Sequence, residues 1–168
     1  MKKALLALAL MAGLPVLANA GDKGYVVEKN PVAPACYGAG YEFGVFGAAI
    51  FPESHYDDSL GGGVSLGYFF NENLGVQASA AIYATDSEVH NYTVDAVYRL
   101  PINCIAPYLL VGGGVHTNGA TEGLFRFGGG IDVRIMDGTS VFADGTYNLL
   151  SGDIDNYTTA RVGLRFAF

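Results

Sequence analysis

The closing stretch, Tyr157 to Phe168 (YTTARVGLRFAF), constrains the rest of the chain because it repeats with a period of two. Thr158, Ala160, Val162, Leu164, Phe166 and Phe168 fall on one face, and Tyr157, Thr159, Arg161, Gly163, Arg165 and Ala167 on the other. Successive side chains of a strand point to opposite sides of its sheet. This segment therefore has one apolar wall and one wall carrying two arginines. The sequence stops on it, so its edge is expected to be paired with another strand.

The same period recurs upstream. Segment 41–51 puts Tyr41, Phe43, Val45, Ala49 and Phe51 opposite Glu42 and several small residues. Segment 60–70 sets Leu60, Val64, Leu66, Tyr68 and Phe70 against Gly61, Gly63, Ser65 and Gly67. Segment 74–84 sets Leu74, Val76, Ala78, Ala80 and Ile82 against Gln77, Ser79 and Tyr83, and 91–100 sets Tyr92, Val94, Ala96, Tyr98 and Leu100 against Thr93, Asp95 and Arg99. The alternation is weaker over 107–116. Segment 124–135 places Phe125, Phe127, Ile131, Val133 and Ile135 opposite Arg126, Asp132 and Arg134, and 140–150 places Val141, Ala143, Tyr147 and Leu149 opposite Asp144, Thr146 and Asn148.

These are eight strands of the length and dyad pattern that cross a membrane. Their charges decide the environment. Arg99, Arg126, Arg134, Arg161 and Arg165 share their facing with Glu42, Asp95, Asp132 and Asp144, and no mid-strand charge lies on the apolar face. A sheet with one wholly uncharged face needs an apolar surround, and closure satisfies its backbone groups. A soluble sandwich would leave the arginine face in water, where more lysine is expected; none occurs after residue 29. The expected fold is all-β, an eight-stranded antiparallel up-and-down transmembrane β-barrel over residues 40–168.

The short connections NEN, PINCIA and MDGT contrast with the more polar PESHYDDS, TDSE, TNGATEG and SGDIDN. Short turns face the periplasm in such barrels and longer loops face outward, so both barrel ends of the chain are expected on the periplasmic side. Tyr41, Tyr68, Phe70, Tyr98, Tyr108 and Phe168 are expected to form an inner aromatic girdle, and Phe51, Tyr92, Phe125, Tyr147 and Tyr157 an outer one.

Residues 1–20 (MKKALLALALMAGLPVLANA) combine two lysines, an apolar run and a small-residue ending, and are expected to be a signal peptide. Export then leads to the outer membrane of a Gram-negative-type bacterium. Residues 21–39, with Pro31, Pro34 and several glycines, read as a periplasmic lead-in. Removing Lys2 and Lys3 from the 9 basic residues leaves 7 against 16 acidic, a net of −9. Nucleic acid is excluded as a partner on that balance.

The segments PYLLVGGGV, FRFGGGIDVRI and ARVGLRFAF resemble the OmpA-like and opacity-like family of eight-stranded outer-membrane barrels. The resemblance covers residues 40–168. It implies outer-membrane lipid as the surround and a C-terminal signal, Leu164, Phe166 and Phe168, read by the barrel-assembly machinery. The family spans adhesins, structural proteins and narrow pores. No peptidoglycan-binding domain follows Phe168, so tethering to the cell wall is not implied, and the short outer loops weaken an adhesin reading. The surface partner is unknown.

An eight-stranded barrel is just wide enough for side chains to fill. Glu42, Asp95, Asp132 and Asp144 are expected to pair there with Arg99, Arg126, Arg134, Arg161 and Arg165, because buried charges need partners. Gly61, Gly63, Gly67, Gly128, Gly130 and Gly163 also face inward and leave room for water, which keeps a narrow pore open as an alternative. Its acidic outer loops (Glu53, Asp57, Asp58, Asp86, Glu88, Glu122, Asp153 and Asp155) would favour cations.

No catalytic residue, cofactor or metal site is expected. His55, His90 and His116 lie near the outer end, but His90 and His116 differ in facing, which argues against convergence on a metal. HTNGATE (116–122) supplies a histidine and Glu122 without a suitably spaced serine, so a lipid-modifying enzyme is the weakest reading. Cys36 and Cys104, the only cysteines, are expected to form a disulfide in an oxidising compartment. That bond would carry the lead-in across the periplasmic mouth as a staple, and would make it a partial plug.

Overall fold

The computed structural model describes residues 36–53, 58–84, 89–118, 120–151 and 156–168. The signal-peptide segment, most of the lead-in, His55, Asp57, Asp86, Glu88, Asp153 and Asp155 lie outside the described residues. Eight strands follow one another: β1 (Gly40–Pro52), β2 (Ser59–Phe69), β3 (Leu74–Tyr83), β4 (Val89–Arg99), β5 (Ile105–Asn118), β6 (Ala120–Met136), β7 (Thr139–Leu150) and β8 (Tyr157–Ala167). Each pairs with the next, antiparallel, and β1 pairs with β8 to close the barrel. The register runs from Glu42 opposite Ala167 to Pro52 opposite Tyr157, so the last strand has no free edge.

The alternation seen in the sequence is the alternation of burial. In β4, Val94 is 62% exposed while its neighbour Asp95 is 1% exposed. The outer wall is apolar throughout, with Leu66, Ile82, Tyr92, Leu109, Phe127 and Val162 all exposed. Strands of 10 to 17 residues meet or exceed the ~9–11 that a tilted strand needs to cross the hydrocarbon layer.

The end carrying Gly40, Arg99, Ile105 and Ala167 is termed the near end, and the opposite one the far end. Near-end turns are tight. The Asn71 side chain accepts from the backbone amides of Asn73 and Leu74, each at 2.8 Å. Gly138 (φ 71°) and Asn103 (φ 57°) take the left-handed conformation, which glycine and asparagine tolerate best in turns.

Several sequence expectations are corrected here. TNGATEG is mostly strand, with Gly119 outside the described residues: Thr117 pairs with Thr121 and Asn118 with Ala120, and His116 pairs with Glu122. Its polar residues continue the β5–β6 ladder towards the far rim, where polarity no longer conflicts with the surround. PINCIA is shorter as a turn than it reads, since β5 already starts at Ile105. Tyr108 and Tyr157 do not belong to the girdles. They are 4% and 3% exposed, on the inward side of β5 and β8. The other girdle residues face outward or lie at the rim: Tyr41, Tyr68 and Phe168 gather near one another at the near end, and Tyr147 stands beside Phe127 at the far end.

Candidate functional site

The site is the lumen, and it has two layers. The near layer is built from charge. Arg99 Nη1 lies 3.0 Å from Glu42 Oε1 and 3.8 Å from Asp132 Oδ2. Arg165 bonds Asp132 through Nη1 and stands 3.8 Å from Glu42, while Arg134 Nη2 stands 3.7 Å from Glu42. Three arginines thus share two carboxylates. Aromatic faces take up what the carboxylates leave: the Arg99 guanidinium is 3.6 Å from the Phe69 ring centre and 4.6 Å from that of Tyr37, and Arg165 is 4.4 Å from Phe142. Such stacking is most favourable where water is excluded.

Further along, two forked pairs stand apart. Arg161 donates Nε and Nη2 to the two Asp144 oxygens at 2.7 and 2.8 Å. Arg126 donates Nε to Asp95 Oδ1 at 2.7 Å and Nη2 to Oδ2. Tyr108 Oη donates to Asp144 at 2.7 Å. All nine charged residues singled out in the sequence are therefore brought together inside the barrel, and each has an oppositely charged neighbour.

The far layer is mixed: an apolar cluster stands among buried polar side chains, including Asn148 bonded to Thr159 at 3.0 Å, with the Arg161 guanidinium 5.1 Å from the Phe46 ring centre. Phe46, Ala48, Ile50, Ala81, Tyr83, Val89, Leu124, Phe142 and Tyr157 form one buried cluster. At its edge Asn91 donates Nδ2 to Tyr157 Oη at 2.8 Å, and its Oδ1 lies 2.8 Å from His116 Nδ1. Sequence reasoning set Tyr83 on the inward face but missed Phe46 and Phe142, although parity marks them: Phe46 shares facing with Glu42, and Phe142 with Asp144.

At Gly61, Gly63 and Gly163 the space that the sequence suggested is taken. Phe46 sits between Gly63 on β2 and Gly163 on β8, its register partners. A Cβ at either glycine would stand 2.7 Å from Phe46 atoms. The Tyr83 ring covers Gly61 in the same way. Large side chains thus occupy the room that glycine frees on the neighbouring strand.

Cys36 and Cys104 form a disulfide, with Cα atoms 5.1 Å apart. Beside it Tyr37 is 2% exposed, and its hydroxyl donates to the Asp132 carbonyl oxygen at 2.9 Å. Burial, with the Asp132 charge next, pushes the Tyr37 phenol above its ordinary range, so it stays a neutral donor. Nothing in the sequence beyond the adjacent Cys36 marks this tyrosine.

Leu164, Phe166 and Phe168 face outward on β8 and just beyond it, 39%, 38% and 74% exposed. His116 is buried in the lumen and His90, one strand away, has the other facing. Among the described residues no three His, Cys, Asp or Glu side chains are placed to hold a metal ion.

Comparison with known proteins agrees with this geometry. No curated protein matches the sequence. Solved structures do. Neisserial surface protein A (NspA) aligns with a TM-score of 0.62 at 14% identity, over 77% of this chain and 97% of that one. The N-terminal beta-barrel domain of Pseudomonas aeruginosa OprF aligns at 0.60 and 16% identity, over 77% and 99%. The outer membrane enzyme PagL aligns at 0.53 and 14% identity, over 74% and 99%. These likenesses are of fold, and enzymes as well as other barrels share it. The family model for the outer membrane protein beta-barrel domain matches residues 4–168. The chain therefore belongs to the outer membrane protein beta-barrel domain family and is an eight-stranded barrel of the outer membrane.

Proposed function

We propose that this barrel has a structural or surface-interaction role, without catalysis, and that its lumen is closed to ions. The observation that carries the reading is the filling of the lumen by two unlike layers. A charged layer with every carboxylate paired adjoins a packed layer in which an apolar cluster around Phe46 stands among buried asparagine, histidine and threonine side chains. An ion crossing the first would compete with buried pairs. Crossing the second would strip its water against a packed cluster whose polar neighbours are already bonded to one another.

The near end is assigned to the periplasm, because short turns lie there in such barrels. The far rim then faces the exterior and supplies any surface contact. Residues 1–20 are assigned as the export signal, 21–39 as the periplasmic lead-in, and Leu164, Phe166 and Phe168 as the segment read by the barrel-assembly machinery. The outer membrane enzyme PagL shows that the fold is compatible with catalysis. A lipid-modifying reading of this chain would need a nucleophile and base together, and the described lumen presents His116 to Asn91 and Tyr157 instead.

The test is single-channel recording of the refolded barrel in planar lipid bilayers, with folding checked by a heat-sensitive gel shift. A silent bilayer is expected. Regular discrete steps with cation preference would replace this reading by that of a narrow pore.

A further inference from the structure

We infer that Tyr37 is a removable stopper over the near mouth of the lumen, latched by the Cys36–Cys104 disulfide and released by its reduction. The latch crosses the barrel. Cys104 lies in the turn between β4 and β5, whereas residue 40 begins β1, and β5 is four strands from β1 in a ring of eight. The segment between Cys36 and Gly40 therefore spans the mouth from one wall to the opposite one. That is a distance a few extended residues can cover at ~3.3 Å each.

Tyr37 hangs from this span into the charged layer. Its hydroxyl bonds Asp132 and lies 3.2 Å from the Cys104 carbonyl oxygen. Its ring is 4.6 Å from the Arg99 guanidinium and 5.0 Å from that of Arg134. Under it Arg99 and Asp132 have no exposed surface. Arg99 Nε and Nη2 and Arg134 Nε have no hydrogen-bond acceptor, so at the mouth these arginines have an aromatic ring where an acceptor or water would otherwise stand. The near layer also holds three arginines to two carboxylates. Lifting Tyr37 away uncovers these arginines to a mouth that Asp137 also lines.

The latch is reachable. Both cysteines are only half-buried, and they line a near-end cavity of about 630 Å³ with Gly38, Glu42 and Arg134. A dithiol, small or carried by a protein, attacks the disulfide, the Cys36–Cys104 bond breaks, and a second exchange leaves two protein thiols. The reductant leaves as its own disulfide, having given up two electrons and two protons. Deeper pairs do not depend on the latch, because Arg126–Asp95 and Arg161–Asp144 have no contact with Tyr37 among the bonds described.

The experiment is labelling of the full chain, folded in lipid vesicles, with an arginine-selective dicarbonyl, read by peptide mass spectrometry. Oxidised barrel is expected to keep Arg99 unlabelled. Reduction by a dithiol, with two thiols titrated, is expected to expose Arg99 and Arg134 while Arg126 and Arg161 stay protected. Tyr37→Ala is expected to expose Arg99 without reductant, and Tyr37→Phe to keep it protected until reduction. Arg99 still protected in the fully reduced barrel, or in Tyr37→Ala, overturns the stopper. So does labelling of Arg126 and Arg161 together with Arg99, which reports opening of the whole barrel. This inference rests on the barrel reading above, but its result is separate from that of the bilayer recording, since the far layer stays in place when Tyr37 leaves.

Discussion

Arg126 reaches Asp95 over a glycine. Asp95 on β4 is opposite Gly112 on β5, and Gly112 is opposite Arg126 on β6, so the forked pair joins strands that are not neighbours. Tyr108 repeats the device, crossing Gly130 on β6 to reach Asp144 on β7. A side chain at the middle position would occupy the path. Gly112→Leu is therefore expected to unseat the Arg126–Asp95 pair and cost about as much as Arg126→Ala, which leaves a buried charge alone at ~3–5 kcal/mol. Replacing Asp95 and Arg126 together by Leu and Met should recover most of that. Urea unfolding in lipid vesicles, followed by the gel shift, measures the series.

Phe46 depends on its glycines in the opposite sense. Gly163→Val brings a branched side chain against Phe46 and the β1 backbone and is expected to abolish refolding, since overpacking here has no soft neighbour to displace. Phe46→Ala keeps the Cβ, the Cα and the preceding carbonyl oxygen that the valine meets, so the pair is expected to fail as well, whereas Phe46→Ala alone should refold at a lower stability than the native barrel. Refolding yield read by the gel shift decides between the two.

The outer wall makes a simpler prediction. Val94 lies at the middle of β4 and is 62% exposed. Val94→Arg is expected to cost ~2–4 kcal/mol in a bilayer, and a matched change near a rim, Thr158→Arg, only ~0–1 kcal/mol. Equal costs at the two depths would remove the lipid from the picture.

Inside the far layer, Tyr157→Phe deletes the acceptor of the Asn91 amide. A buried donor without a partner costs ~1–3 kcal/mol, and the loss should appear as a lower urea midpoint. His116→Phe beside it tests whether the ring nitrogen or only its volume matters.

The barrel was legible in the sequence because membrane strands repeat one rule, and the strands from Tyr41 to Phe168 follow it, most weakly over 107–116. What was not legible arose where residue type and position disagree. Tyr108 and Tyr157 are the types expected in a girdle and stand near the rims, yet their parity sends them inward to Asp144 and Asn91. Thr117 to Gly123 read as a loop because they are polar, while backbone pairing, which polarity does not govern, extends the hairpin through them. Glycines signalled empty space, because only the register shows that Phe46 fills it. Tyr37 lay in a segment with no periodicity, so only the fold brings it to Arg99.

The most direct measurement is spin-label accessibility along β4 of the barrel in lipid, one position at a time from residue 92 to 98, with the Cys36–Cys104 disulfide kept oxidised so that only the introduced cysteine is labelled. Tyr92, Val94, Ala96 and Tyr98 should report high access to dissolved oxygen. Thr93 and Val97, 4% and 3% exposed, should report little access to oxygen and to a water-soluble nickel chelate alike. High chelate access at Thr93 and Val97 would mean a water-filled lumen and contradict closure, and uniform oxygen access would contradict the two-faced wall itself.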